Sequence, residues 1–375
     1  MVIYGITYDH TTNYGSCFQA YALQKAVECL NINGEEFRYY LIPIRTFRDI
    51  PVKNKWKEFL VKPILNLHRR QFREFERIYM KYAGVTSLSN LYELNITGDA
   101  FVCGSDVIWN PDMNQGLGAY YLDFAEKYKF SYAASFGKAS IDEKFYGDIR
   151  RKLEFFDSIS VREKSGAEML EKIMKRKIEV AADPVFLLTA DQWNEIIPHP
   201  QRCEKYIFVY TTHLNKTILD FVENLRKQTE LKVVWTVWGP KQALQKGILQ
   251  VHKPDRWLQL LRDAEYVVTN SFHASAFSTI WHKKFFTVVW GEKSKGINIR
   301  MYDFLKYIGL SDRMYSDVPG TIEKEDIDYS EADRKITALR DESLCFLQEN
   351  LKAAYMKKHK YCSVGDHFTL KYNVE

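Results

Sequence analysis

Short apolar runs alternate along this chain with stretches whose apolar residues recur every three to four positions. Runs at 2–7, 37–42, 100–103, 130–134 and 158–161 predict strands, and helical periodicity at 17–30, 143–156 and 163–174 fills the gaps between them. A further strand is expected near Val180. A second series follows, with strands at 206–210, 232–237, 266–269 and 285–289 and helices at 216–229, 257–262 and 301–308. A long helical pattern over 331–354 closes the chain, with no landing place that the pattern reveals. Continuous apolar runs are the signature of strands buried on both faces, and βα alternation implies mostly parallel sheets covered by helices. Asp183-Pro184 and the polar stretch 197–205 mark the break between the two series. The expected organisation is an N-terminal Rossmann-like domain over 1–197, a second over 198–330, and a C-terminal helix and tail over 331–375.

The length of 375 residues fits two cores better than one. Two α/β sheets facing a central cleft give a GT-B-like architecture, and such a cleft is the usual place for a ligand. A hydrophobic share of 46% and a charged share of 27% are those of an ordinary folded protein. The 24 Tyr and 23 Phe are many; filling cores is a more frequent use of such rings than lining a carbohydrate site. Six cysteines are scattered without metal-ligand spacing, so reduced thiols and no metal are expected. The first residues enter a strand rather than a signal peptide, and no apolar run nears the roughly 20 residues of a membrane span. A cytoplasmic location follows as the expectation. The net charge of +5 does not call for a nucleic-acid partner. Between Arg38 and Lys81, however, 12 Lys/Arg face four Asp/Glu. The basic helix expected over 52–81 suits an anionic membrane surface. It equally suits an ordinary helix with its apolar stripe turned inward, the favoured reading.

Candidate chemistry collects where strands end. Tyr266, Val267 and Val268 run into Thr269-Asn270-Ser271, and Phe272 and His273 then open a helix. The carboxyl edge of a parallel sheet is where open α/β folds bind ligands, and a helix start offers free N–H groups to an anion. An imidazole beside hydroxyls there reads either as an acid/base turn or as a helix cap. Asn13, Gly15 and Ser16 occupy the turn after the first strand, which lacks the GxGxxG dinucleotide pattern. Gly104-Ser105-Asp106 and Trp109 follow the third strand; Asp106 can accept from sugar hydroxyls and Trp109 can stack on a ring, or Ser105 and Asp106 can simply cap a turn. Arg162 ends another strand with a fork suited to carboxylate or phosphate, or to a structural ion pair. Four polar clusters, each just past an apolar strand, favour a shared site over unrelated caps.

Taken in order, these segments resemble the polysaccharide pyruvyl transferase family over roughly 3–313. The resemblance runs through Asn13-Tyr14-Gly15-Ser16, Gly104-Ser105-Asp106-Val107-Ile108-Trp109-Asn110, Ala134-Ser135-Phe136-Gly137, Ser160-Val161-Arg162, Asp183-Pro184, Thr269-Asn270-Ser271-Phe272-His273-Ala274-Ser275 and Asn298-Ile299-Arg300. Val107 stands where Gln is common, and Ala274-Ser275 where Gly-Thr is common. The resemblance implies transfer of a pyruvyl group from phosphoenolpyruvate to two hydroxyls of a sugar, forming a cyclic ketal in a surface polysaccharide, with no cofactor beyond that co-substrate. It implies Arg162, Ser271, Phe272, His273, Asn298 and Arg300 on the donor, with His273 as acid/base and Arg162 as its catalytic companion. It further implies Asn13, Gly15, Ser16, Gly104, Ser105, Asp106 and Trp109 on the acceptor, a sugar that is free or lipid-linked. A nucleotide-sugar-dependent glycosyltransferase of GT-B fold is the alternative, although no acidic residue diagnostic for ribose stands in the second half.

Overall fold

The structure, a computed structural model, describes residues 1–8, 12–44, 55–85, 87–114, 117–138, 140–198, 204–237, 252–289, 295–322 and 326–365. The first sheet comprises β1 (Val2–Ile6), β4 (Arg38–Leu41), β5 (Ala100–Cys103), β6 (Tyr128–Ala134), β7 (Ser158–Val161) and β8 (Glu179–Val180), in the order β4-β1-β5-β6-β7-β8. A small hairpin of β2 (Asn31–Ile32) and β3 (Glu35–Glu36) lies outside it. The second sheet comprises β9 (Tyr206–Thr211), β10 (Lys232–Val237), β11 (Tyr266–Thr269), β12 (Lys284–Val288) and β13 (Met314–Tyr315), in the order β10-β9-β11-β12-β13. All pairings within both sheets are parallel. The chain therefore folds as two Rossmann-like α/β units of GT-B-like architecture.

Strand order reverses between β1 and β5 in the first sheet and between β9 and β11 in the second. Crevices open at such switch points because the crossover helices leave toward opposite faces. The turns at 12–16, 104–109, 211–213 and 269–273 occupy these two positions, so the polar clusters fall where a parallel sheet can take a ligand.

Sequence expectation and structure differ mainly at helix ends. The first helix begins at Tyr14 rather than Cys17, because the Asn13 side chain accepts from the N–H groups of Gly15 and Ser16. The pattern at 143–156 resolves into a short 3₁₀ turn and the helix Tyr146–Leu153. The helix expected at 301–308 starts earlier, spanning Lys295–Tyr307. β6 carries a register shift between Ser131 and Ala134, with Ala133 at φ 50°. Ser131 and Ser160 hold it from below through hydrogen bonds in both directions, and the Ser160 hydroxyl accepts from the Ala133 amide. A bulge of this kind re-aims the strand end beyond it.

The two units are joined through aromatic packing. Tyr14 stacks on Trp257 at 5.1 Å and meets Tyr210 edge-on at 5.7 Å. Phe18 packs at 5.3 Å against Phe277, which lies 4.9 Å from Trp193. These rings are core residues, as the composition favoured. The basic helix, Lys55–Tyr79, sets Phe72 and Phe75 against Tyr14 and Phe18 and leaves Arg70, Arg73 and Arg77 exposed. Its described part thus packs as an ordinary amphipathic helix. The closing helix, Ser330–Gly365, starts on the second unit, where Asp333 accepts from His282, and ends on the first, where Lys357 and Lys358 pair with Asp157 and Asp99. Among the described residues, no helix is long and apolar enough to cross a membrane.

His68 and His252 flank Tyr14: the His68 ring lies 6.0 Å from the phenol ring, and the His252 carbonyl accepts from its hydroxyl. Both Nε2 atoms are buried, with no hydrogen-bond partner among the described residues. Burial pulls each imidazole down to about 4, with Arg256 adding to the effect on His252. The unfolded chain takes up protons at these sites below about pH 6.5, while the folded chain resists until much lower pH. The stability they allow is therefore complete above about pH 6.5 and declines on acidification. The melting temperature is expected to fall between about pH 7.5 and pH 5, and His68→Gln to flatten that slope in a pH series of thermal melts.

Candidate functional site

The carboxyl edge of the first sheet presents one polar group after another. Asp106, at φ 71°, follows β5 and forms a bridge with Ala134. The Ser135 amide donates to the Asp106 carbonyl at 3.0 Å, and the Arg162 amide donates to the Ala134 carbonyl at 3.1 Å. Across the next strand, the Ala181 amide reaches the Val161 carbonyl, which brings Ala182 and Asp183 to the same edge. Ser135, Arg162, Glu163 and Asp183 are thus neighbours because four adjacent strands stop together.

Arg162 is buried, with 4% of its side chain exposed. Nη1 donates to Asp183 Oδ2, Nε lies 3.4 Å from Glu163 Oε1, and the guanidinium covers the Phe272 ring at 5.2 Å. Burial disfavours its charge, but Asp183, Glu163 and Asp106 more than offset this and hold it firmly protonated. Glu163 Oε1 also accepts from the Ser135 hydroxyl at 2.5 Å, whose oxygen accepts from the Gly137 amide. Gly137 needs its φ of 68°, a region costly for other residues, and it leaves room for Val107. Nη2 of Arg162 is buried with no acceptor among the described residues.

His273 reaches the same place from the second unit. It is the second residue of the helix Phe272–Ile280, and its Nε2 lies 3.4 Å from Asp183 Oδ2 without meeting hydrogen-bond geometry. Ser271 stands at the N-cap, but its side chain caps nothing, so the first amides of that helix keep their donors unclaimed by it. Four residues along the helix, Phe277 packs into the aromatic junction, and this i, i+4 relation fixes the face that His273 presents. Asn270 ties the turn to the end of β9 by accepting from the Thr212 amide and donating to the His213 carbonyl.

The Asp183 side chain has no exposure, yet it stays ionised. Burial pushes its carboxyl up, but His273 and Arg162 prevail and hold it well below the usual carboxylate range. Its other oxygen, Oδ1, accepts from the Val185 amide at 3.1 Å. Gly15 completes the arrangement: a Cβ there would lie 2.0 Å from His273 Nδ1, so the imidazole occupies space that only glycine leaves free.

The structure therefore brings together Arg162, His273, Phe272 and Gly15, with Ser16 and Asp106 joined by a hydrogen bond alongside. The other expected residues are placed as follows, and Trp109 needs correction. Trp109 is fully buried, donates to the Tyr120 carbonyl at 3.1 Å and stacks on Tyr121, so it offers no face to a sugar. Asn13 spends its side-chain oxygen on the helix start. Gly104 is packed against Ile6, Thr7 and Leu23 beneath the edge. Ser105 is buried, its hydroxyl without a partner among the described residues and its carbonyl accepting from Thr7. The side chains of Asn298 and Arg300 lie outside the described residues. Sequence reasoning missed Ser135 and Glu163, and it read Asp183 as a boundary. The signals were present: Ser135 stands in a family segment, and Glu163 adjoins Arg162.

A two-domain Rossmann-like protein with a cation–carboxylate–imidazole centre between its sheets is the class that this geometry defines. The family model for polysaccharide pyruvyl transferase matches residues 13–292, and the chain belongs to that family. No curated protein matches the chain. Among solved structures it is similar to UDP-GlcNAc 2-epimerase from Neisseria meningitidis bound to UDP-GlcNAc, with 11% identity, a TM-score of 0.46 and coverage of 94% of this chain and 100% of that one. It is also similar to the wall teichoic acid polymerase TagF, with 13% identity, a TM-score of 0.45 and coverage of 97% and 84%. A third is the E. coli heptosyltransferase WaaC with ADP, with 14% identity, a TM-score of 0.39 and coverage of 93% and 100%.

Gly15→Ala tests the role of the close approach. The backbone is helical there, so alanine suits the helix, and any fall in melting temperature reports the collision of the methyl group with the buried imidazole. The methyl group should displace the imidazole and lower turnover about 10²-fold, the usual effect of an ångström-scale misplacement. Unchanged turnover in a steady-state assay would contradict this.

Proposed function

We propose that the protein transfers the pyruvyl group of phosphoenolpyruvate to two hydroxyls of one sugar, forming a cyclic ketal during surface polysaccharide biosynthesis. The observation that carries this reading is the guanidinium of Arg162, buried with no acceptor for Nη2 among the described residues, beside the helix start that bears His273 and that Ser271 leaves uncapped. A buried donor without an acceptor costs about 1–3 kcal/mol, which a carboxylate or phosphate oxygen can recover. Membership of the family supports the same transferase class.

In this reading Arg162 takes the donor carboxylate or phosphate, with Arg300 and Asn298 on the same ligand. Ser271 and the amides of Phe272 and His273 hold the phosphate at the helix start. His273 gives a proton to the methylene carbon, which leaves the central carbon electron-poor. One sugar hydroxyl forms a C–O bond there, its proton passing to the imidazole. The C–O bond to phosphate then breaks, phosphate leaves, and the second hydroxyl closes the ring with its proton leaving on phosphate. Asp106 and Ser16 take the acceptor hydroxyls in this reading. An imidazole suits this two-way traffic because it exchanges protons near neutral pH.

Phosphoenolpyruvate and a panel of glycans should give phosphate release and an acceptor heavier by one ketal-linked pyruvate. His273→Ala should lower turnover by at least about 10²-fold. Stabilisation by UDP or GDP, with none by phosphoenolpyruvate, points instead to a nucleotide-sugar glycosyltransferase. The location proposed is cytoplasmic, at the inner face of the membrane, with Arg70, Arg73 and Arg77 toward anionic lipid when the acceptor is lipid-linked. Sedimentation with anionic but not neutral vesicles, lost in a triple Arg→Gln variant, is the expected result.

A further inference from the structure

We propose that Asp183 is the positioning residue of this site, setting both Arg162 and His273, and that it holds the proton of the neutral imidazole on Nε2 so that Nδ1 exchanges protons with substrate. The chemistry of that exchange rests on the pyruvyl transfer proposed above, whereas the placement of the proton does not.

Three observations carry it. First, a single oxygen, Asp183 Oδ2, faces both the guanidinium and the imidazole: Nη1 of Arg162 donates to it, and Nε2 of His273 stands 3.4 Å away. A carboxylate accepts only, so a neutral ring facing it is lower in energy with its proton on the near nitrogen. Second, Nε2 is the buried nitrogen, and the far one, Nδ1, lies against Gly15, where any side chain would collide with it. Third, Asp183 cannot follow its partners, because the main chain on either side is tied down. The Ala182 amide donates to Ser343 Oγ at 2.9 Å, and the Ala182 carbonyl accepts from the Tyr132 hydroxyl at 3.1 Å. Trp193 donates to the Val185 carbonyl at 3.0 Å, and Arg340 donates to the Phe186 carbonyl at 2.6 Å. Ser343 and Arg340 belong to the closing helix, so that helix sets the position of the carboxylate through the main chain around it. The guanidinium and the imidazole thus take their positions from one fixed group, which a carboxylate serving only as a surface ion pair would not provide.

The test uses the full chain labelled with ¹⁵N-histidine, its His273 signals assigned by their absence in His273→Gln. At a pH where the ring is neutral, the expected spectrum is that of the Nε2–H tautomer. A dominant Nδ1–H tautomer overturns the proposal, and this reading requires neither substrate nor turnover. Asp183→Asn, close in shape, should lower kcat at least about 10²-fold, as loss of an orienting carboxylate does in other acid/base sites, while KM for phosphoenolpyruvate changes less. It should also return the ring to a tautomer mixture. Turnover of Asp183→Asn within about threefold of the parent, at an unchanged melting temperature, contradicts the positioning role. Ser343→Ala, remote from the reacting groups, should show a smaller loss in kcat than Asp183→Asn. If the parent protein releases no phosphate from phosphoenolpyruvate, the pyruvyl transfer reading fails and the tautomer still decides the proton placement.

Discussion

A carboxylate with no exposure sits between a guanidinium from one sheet and an imidazole from the other, and the centre depends on that arrangement. An ionised group out of water is tolerable only when other groups replace its hydration, and Asp183 has Arg162, His273 and the Val185 amide for this purpose. Removing one of them leaves a charge uncompensated in a dry place. The domain junction and the site are consequently one structure: the pairing that makes the chemistry feasible also couples the two units, beside the aromatic packing of Tyr14, Phe18, Trp257 and Phe277.

Geometry of this kind arises from ordinary features placed at strand ends. The reciprocal serine pair under β6 shapes the bulge that leads Ser135 to Glu163, and Glu163 to Arg162. Asn13 starts the first helix early enough to bring Gly15 under the imidazole. The electrostatic balance is less simple than a basic pocket. Asp183, Glu163 and Asp106 all act on Arg162, so its charge is largely answered within the protein. The helix start at Phe272, which Ser271 does not cap, adds positive potential beside it without adding another cation to the network.

Strands and helices were legible because hydrophobic period is a local property. The runs at 100–103, 158–161, 232–237 and 266–269 match the observed strands. Helix starts were less legible, since the cap at Asn13 outweighs the weak apolar pattern of Tyr14-Gly15-Ser16. Trp109 illustrates the opposite error: an indole after a strand end looks available to a sugar, yet Tyr120 and Tyr121 cover it. Nothing near it in the chain announces those partners' positions.

By itself, the amino-acid order determined the alternation that builds two parallel sheets and the polar residues that stand at their carboxyl edges. Arg162 and His273 could be singled out because each follows an apolar strand directly. Only the tertiary structure decided which of these edge residues meet, which are capped or buried, and that Asp183 joins the leading pair. The reason is physical: periodicity acts between neighbours along the chain, whereas hydrogen bonds and ion pairs depend on distances that exist only after both sheets have packed.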